Sequence, residues 1–241
     1  MTKLSININK IALLRNSRGR NYPDVHAFAA RCLALGAHGI TLHPRPDQRH
    51  ARYSDISMLD GLCKSQGREL NVEGFPSPQF LDAVIRARPA QCTLVPDDPA
   101  QITSDHGWDL RNHQTSLRET ISALKAANIR VSLFADFDNP DIPLAHELGA
   151  DRVELYTGPY AHAHDTPLAQ DIFERFKHAA RTAQNAGLGV NAGHDLNLHN
   201  LEDFLRIPSI LEVSIGHAFV VECIEHGIEK VMRGYLSIAN K

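Results

Sequence analysis

Residues 39–50 read Gly-Ile-Thr-Leu-His-Pro-Arg-Pro-Asp-Gln-Arg-His and hold the densest chemistry in the chain. An apolar run stops abruptly at His43, and Arg45, Arg49 and His50 follow at once. Imidazole moves protons near neutral pH, and guanidinium grips phosphate or carboxylate through paired N–H groups. The pattern reads as a buried strand that delivers a cationic cluster to a loop, for a phosphorylated or carboxylated small molecule. A solvated basic loop has the same composition, so the rest of the chain must decide between the two.

Further candidates share one placement, just past a short apolar run. Glu73 closes the run Leu70-Asn71-Val72. Partly desolvated there, its carboxyl would have a raised pKa and serve as a general base; a salt-bridged structural glutamate is the alternative. Glu154 lies between Val153 and Leu155 and must point away from both. Facing an interior it needs an Arg or His partner, and a buried ion pair is the plain reading. His194 follows Ala192-Gly193, where a slim backbone lets a ligand approach, with Asn191 close by. Gly216-His217 opens the last helical stretch, and free N–H groups at a helix start attract anions. His162-Ala163-His164-Asp165 hints at a metal only weakly, because no partner of matching spacing and no H-E-x-x-H accompanies it. No functional metal is expected, and His106, His113, His146, His178 and His199 read as surface positions.

Eight short strand-like runs position these groups: residues 4–8, 39–42, 69–72, 91–95, 130–134, 152–155, 188–190 and 210–213. Helical patterns separate most of them, including 24–35, 78–88, 116–127, 144–148, 168–186 and 218–232. Four helices end at Gly36, Asn128, Gly149 or Gly187 just before the next strand, as a left-handed helix stop requires. Strands alternating with helices imply right-handed crossovers and a parallel sheet. Eight units in 241 residues predict a (β/α)8 TIM barrel with a few extra helices, in a single domain spanning 1–241. A doubly wound open sheet is the rival, but the segment after Ile8 lacks its Gly-rich first turn. In a barrel the strand C-termini share one face. The polar residues at the strand exits, Asn7, His43, Glu73, Asp136, Glu154, His194 and Ser214 among them, would then meet at one mouth. Residues 96–113 read as a long loop on that side and a candidate lid.

Composition narrows the partners. A formal net charge of −3 and the lack of basic runs argue against nucleic acid and membrane surfaces. No apolar stretch is long enough to span a bilayer, and the first residues lack the pattern of a signal peptide. Cys32, Cys63, Cys92 and Cys223 are widely spaced, as expected of reduced, mostly buried thiols in a cytoplasmic protein.

The segments Ser5-Ile6-Asn7-Ile8, Leu14-Arg15-Asn16-Ser17-Arg18-Gly19, residues 39–50, Val190-Asn191-Ala192-Gly193-His194 and Ile215-Gly216-His217-Ala218 together resemble the pyridoxine 5'-phosphate synthase family, in order and over essentially the whole chain. The resemblance implies a cytoplasmic, cofactor-free (β/α)8 barrel that forms homo-oligomers, up to an octamer built of dimers. The implied reaction condenses 3-amino-2-oxopropyl phosphate with 1-deoxy-D-xylulose 5-phosphate, giving pyridoxine 5'-phosphate, phosphate and water. It assigns His43 and Glu73 as proton acceptors and His194 as a proton donor. It assigns Asn7 and Arg18 to the amino-ketone phosphate and its surroundings, and Arg45, His50 and Thr103 to the sugar phosphate. Gly216 and His217 fall at the phosphate site of the last helix, and Glu154 on the active face. Two departures stand out. Asn9-Lys10 replaces the Asp-His common in the family, and Asp195 stands where glycine is frequent, so the substrate contacts at Asn9, Lys10 and Asp195 depend on whether backbone or side chain is used. Other readings stay open: a sugar-phosphate isomerase or an aldolase with Lys10 as Schiff base, a metal-dependent hydrolase, or a sensor barrel that binds phosphorylated metabolites without turnover.

Overall fold

The computed structural model describes residues 1–97, 101 and 103–241. Eight parallel strands close into a barrel in sequence order: β1 (Lys3–Asn7), β2 (Gly39–Leu42), β3 (Glu69–Gly74), β4 (Gln91–Leu94), β5 (Arg130–Ala135), β6 (Arg152–Tyr156), β7 (Gly189–Gly193) and β8 (Ile210–Ile215). The ring closes where Leu4 of β1 pairs with Val213 of β8. The expected (β/α)8 architecture is thus present.

Around the barrel run α1 (Asn9–Asn16), α2 (Val25–Ala34), α3 (Tyr53–Ser65), α4 (Pro78–Ala87), α5 (Gln114–Ala126), α6 (Leu144–Glu147), α7 (Gly158–Ala163), α8 (Ala169–Asn185), α9 (Leu201–Phe204), α10 (His217–His226) and α11 (Ile228–Ala239). Local chemistry sets several boundaries. Asp24 accepts from Ala27 N to cap α2, and Ser77 accepts from Phe80 N to cap α4, with Pro78 in its first turn. The four expected stops, Gly36, Asn128, Gly149 and Gly187, all have positive φ.

Several boundaries depart from the sequence reading; β7, for one, runs on to Gly193. Ile8 belongs not to the first strand but to the start of α1, a helix the sequence pattern did not reveal. The last strand runs on to Ile215. The helix expected over 218–232 is two helices, broken at Gly227 where φ is 82°.

Strand alternation divides the side chains cleanly. Leu4, Ile6, Ile40, Leu42, Leu70, Val72, Cys92, Leu94, Val131, Leu133, Val153 and Leu155 are buried in the layer shared with the helices. The residues between them point into the barrel, and these are largely polar. Gln91 Nε2 donates across the barrel to Glu212 Oε1 at 3.4 Å, and Asn191 Nδ2 donates to Gln91 Oε1 at 3.4 Å. At the floor, Glu69 binds Lys3 at 2.7 Å and Arg130 at 2.6 Å. Burial alone would raise the Glu69 pKa, but these two cations outweigh it and bring the carboxyl down to about 2. The interior is therefore a hydrogen-bonded polar column rather than the usual stack of branched apolar residues. Cys32, Cys63 and Cys92 are buried free thiols, and Cys223 is half-buried.

Candidate active site at the barrel mouth

A cavity of about 300 Å³ opens at the C-terminal ends of the strands. Asn7, Asn9, Lys10, His43, Arg45, His50, Glu73, Thr103, Glu154, His194, Asp195, Gly216 and His217 line it, so thirteen of the fourteen sequence-predicted residues meet on one wall. Arg18 does not. It is exposed on the turn after α1 and absent from the cavity lining. That turn is fixed by its neighbour Asn16, whose Nδ2 donates to the carbonyls of Gln48, Arg49 and His50. Of the candidate lid, residues 98–100 and 102 lie outside the described residues. Its later part is anchored by Trp108, which donates from Nε1 to Leu94 O at 2.9 Å and from its backbone N to Phe134 O.

The sequence reading misses Asp97 and the contacts through which several expected residues hold the site. Asn7 Oδ1 accepts from Asn9 N, and Asn9 Oδ1 accepts from His43 N at 2.9 Å, so the exits of β1 and β2 are tied together. Asn9 thus has a side-chain role that is internal. Asp97 is buried and accepts from Arg45 at 2.6 Å and from Ser104 Oγ at 2.7 Å. Its Oδ2 also lies 4.0 Å from His43 Nε2. Arg15, only 2% exposed, forms a two-point pair with Asp55 at 2.8 and 2.9 Å and donates to His50 O. No motif announced Asp97. The buried Arg15 pair had a signal in the Leu14-Arg15-Asn16 segment, read there as part of a family pattern rather than as a clamp on the 48–50 loop.

Two glycines allow close packing at the strand exits. A Cβ at Gly74 would collide with the Phe80 ring, and one at Gly193 would collide with Glu154 Oε1. Beyond Gly193 the backbone is strained: His194 has φ 82° and Asp195 φ 58°. Position 195 therefore needs the left-handed region, which Asp occupies less readily than the glycine expected there but more readily than most residues. Thr157 supports the bend, its hydroxyl donating to Gly193 O at 2.6 Å and also to His194 O. The His194 ring sits between Phe134 and Tyr156, with ring centroids at 5.1 and 5.5 Å.

Burial reverses the ordinary order of proton affinities here. Desolvation, then the charges of Glu154, Asp97 and Glu212, push Glu73 well above the usual carboxylate range. Desolvation and Glu212 push Glu154 up to about 8, with the Thr93 hydroxyl pulling the other way. Burial drives His43 well below its ordinary value, reinforced by Arg45, His194, His50 and Arg49. His50 falls to about 4 through burial and the charges of Lys10, Arg49 and Arg45. Burial also lowers His194, with Asp195 and Asp97 opposing. The shifts favour protonated carboxyls and neutral imidazoles, so potential acids and bases stand side by side. His50 Nδ1, Glu154 Oε1, His194 Nδ1 and Ser214 Oγ are buried without a protein partner, so the wall offers free polar atoms to a ligand.

At one end stand Gly216 and His217, where α10 begins without a side-chain cap and its first N–H groups remain free for an anion. Arg45 reaches the wall as an ion pair, its guanidinium held by Asp97 at 2.6 Å.

This fold and site define a class: a (β/α)8 barrel whose mouth combines anion-binding groups with a set of proton donors and acceptors. Among solved structures, the chain is similar to a thiamine phosphate pyrophosphorylase from Pyrococcus furiosus, with TM-score 0.65 and 12% identity over 99% of this chain and 95% of that one. It is also similar to a phosphoribosyl anthranilate isomerase from Thermus thermophilus, with TM-score 0.60 and 15% identity over 98% of each. At such identities these likenesses concern the fold alone. The model of the pyridoxal phosphate biosynthesis protein PdxJ family matches residues 4–241. The chain is 53% identical to a pyridoxine 5'-phosphate synthase of Xanthomonas oryzae pv. oryzae strain PXO99A, over 98% of this chain and 96% of that protein. It is 48% identical to one from Chelativorans sp. strain BNC1, over 98% and 97%. The chain belongs to the PdxJ family. Among the described residues, no helix is long and apolar enough to cross a membrane.

Proposed function

We propose that this chain condenses 3-amino-2-oxopropyl phosphate with 1-deoxy-D-xylulose 5-phosphate to pyridoxine 5'-phosphate, phosphate and water, the activity named for its full-length relatives. The observation that carries the reading is that His43, Glu73, Glu154 and His194 line one cavity of about 300 Å³ together with Arg45 and the Gly216–His217 helix start. Ring construction needs alternating proton removal and delivery, and such a set supplies both without rearrangement.

In this reading the amine of one substrate attacks the ketone of the other, and loss of water gives an imine. Proton abstraction, elimination of one phosphate and a second carbonyl condensation close the pyridine ring. His43, neutral in the free site, takes protons. Glu73 delivers its proton to a departing oxygen and, once ionised, accepts the next. His194 acts as donor after gaining a proton, which a nearby phosphate dianion favours by opposing the effect of burial. Glu154 lines the same wall as Glu73, and its unpartnered Oε1 is open to a substrate polar group. Arg45, His50 and Thr103 hold the sugar phosphate. Asn7, Gly216 and His217 hold the amino-ketone phosphate, with Lys10 and Asp195 bordering the pocket. Arg18 has no place in this assignment within one chain. We further infer a cytoplasmic homo-oligomer built of dimers, with residues 1–241 working as one unit.

The test mixes both phosphorylated substrates with the purified chain and follows the pyridine chromophore and free phosphate. Both should appear together. Substrate binding without either product would overturn the proposal in favour of a sensor barrel.

A further inference from the structure

Away from the mouth, the end of α7 meets the turn before α9. His164 and Asp165 come from the first and His199 from the second, and one donor atom of each lies within 4.8 Å of the others. Asp165 Oδ1 is 3.3 Å from His164 Nδ1 and 3.0 Å from His199 Nε2. These spacings match neighbouring corners of a tetrahedron around a metal with bonds of about 2.0–2.2 Å.

Two observations favour a cation over a plain hydrogen-bonded cluster. His164 Nε2 lies 3.2 Å from Asp203 Oδ2, the arrangement in which a carboxylate takes the proton of one imidazole nitrogen and leaves the other free to ligate. The nitrogen so freed, Nδ1, is buried and lies 3.3 Å from Asp165 Oδ1 without the alignment of a good hydrogen bond. With the ring proton on Nε2 toward Asp203, the Nδ1 lone pair faces a carboxylate, and a cation there satisfies both. The ring is also held in place, edge-on to Tyr160 at 5.7 Å and to His199 at 5.0 Å between centroids.

We propose that His164, Asp165 and His199 form a divalent transition-metal site, with Asp203 orienting His164. Two imidazoles with one carboxylate suit zinc, cobalt or nickel and disfavour magnesium and calcium, which prefer all-oxygen shells. Three protein ligands leave a coordination position for water. The site joins two segments on the active side of the barrel. His199 adjoins Asn200, whose Nδ2 donates to Asp195 O and whose carbonyl accepts from the Tyr160 hydroxyl. A bound metal therefore clips the strained β7 exit to α7. In the sequence His164-Asp165 is a weak metal signal and His199 reads as a surface residue, because the third ligand comes from a loop 34 residues away.

The experiment titrates the metal-free full chain with Zn2+ by calorimetry and with Co2+ by visible absorption, alongside His199→Gln and His164→Gln variants. Wild type should bind one Zn2+ per chain and give the intense bands of tetrahedral cobalt. Each variant should bind at least tenfold more weakly and lose those bands, and Asp203→Asn should show an intermediate loss. His199 is largely exposed, so its substitution leaves packing intact. Equal binding by wild type and both histidine variants would overturn the proposal and direct attention to the histidines of the mouth. Failure of wild type to bind Zn2+ at 100-fold molar excess would overturn it equally.

Discussion

At the scale of single residues, the mouth depends on groups held out of their ordinary protonation states. Glu154 shows the consequence for stability. Its pKa is raised from 4.5 in water to about 8 in the fold. Its proton therefore contributes stability that is complete below about pH 4.5 and is lost as pH rises through 8. Glu154→Gln keeps the shape and removes the titration. Its Tm should exceed that of wild type at pH 8, by roughly 2–4 °C for each kcal/mol recovered, and the gain should shrink toward pH 5. A difference between the two proteins that stays constant across this range would refute the assignment. For turnover, Glu73→Gln and His194→Ala should each lose about 10²–10⁴-fold in kcat while far-UV circular dichroism is unchanged. Near-wild-type kcat in both would remove these residues from the chemistry.

Among the elements, the loop after β2 illustrates how a site is braced from below. Arg15 on α1 grips Asp55 at the start of α3 and the His50 carbonyl between them. Arg15→Met leaves Asp55 buried and unpaired, at a cost of about 3–5 kcal/mol. Urea unfolding should show this as a lower midpoint, and KM for the sugar phosphate should rise because His50 loses its anchor. An unchanged midpoint would mean that the pair is idle. Much of this scale was legible in advance. The eight runs, their helices and the Gly or Asn stops follow from local periodicity and turn chemistry. Alternations such as Glu69-Leu70-Asn71-Val72-Glu73 also encode the polar column, because every second residue must face inward. What sequence could not convey were meetings across the barrel. Asp97 under Arg45 and Asp203 behind His164 join segments whose separation carries no spacing rule. The division at Gly227 escaped notice because apolar residues continue on both sides of it.

Seen as a whole molecule, the chain carries a net charge of −3 yet gathers Lys10, Arg45 and the start of α10 at one opening. Such a local field concentrates dianionic substrates there and weakens as salt screens it. Inorganic phosphate alone should raise thermal stability, by about 2.7 kcal/mol at a concentration 100 times its Kd. Differential scanning fluorimetry should show the shift in wild type and a smaller one in Arg45→Met. Equal shifts in both would place the phosphate elsewhere.

The pairing of β1 with β8 carries a last implication, for how the catalyst comes into being. The first strand on the ribosome has nothing to dock against on one side until more than two hundred further residues have emerged. Asn7 waits with it, and so does the wall that it shares with Gly216. Helical signal should therefore return early on dilution from denaturant and synthase turnover late, in step with the seam being sewn. An enzyme of this design is born all at once, because no partial chain owns a working fraction of its mouth.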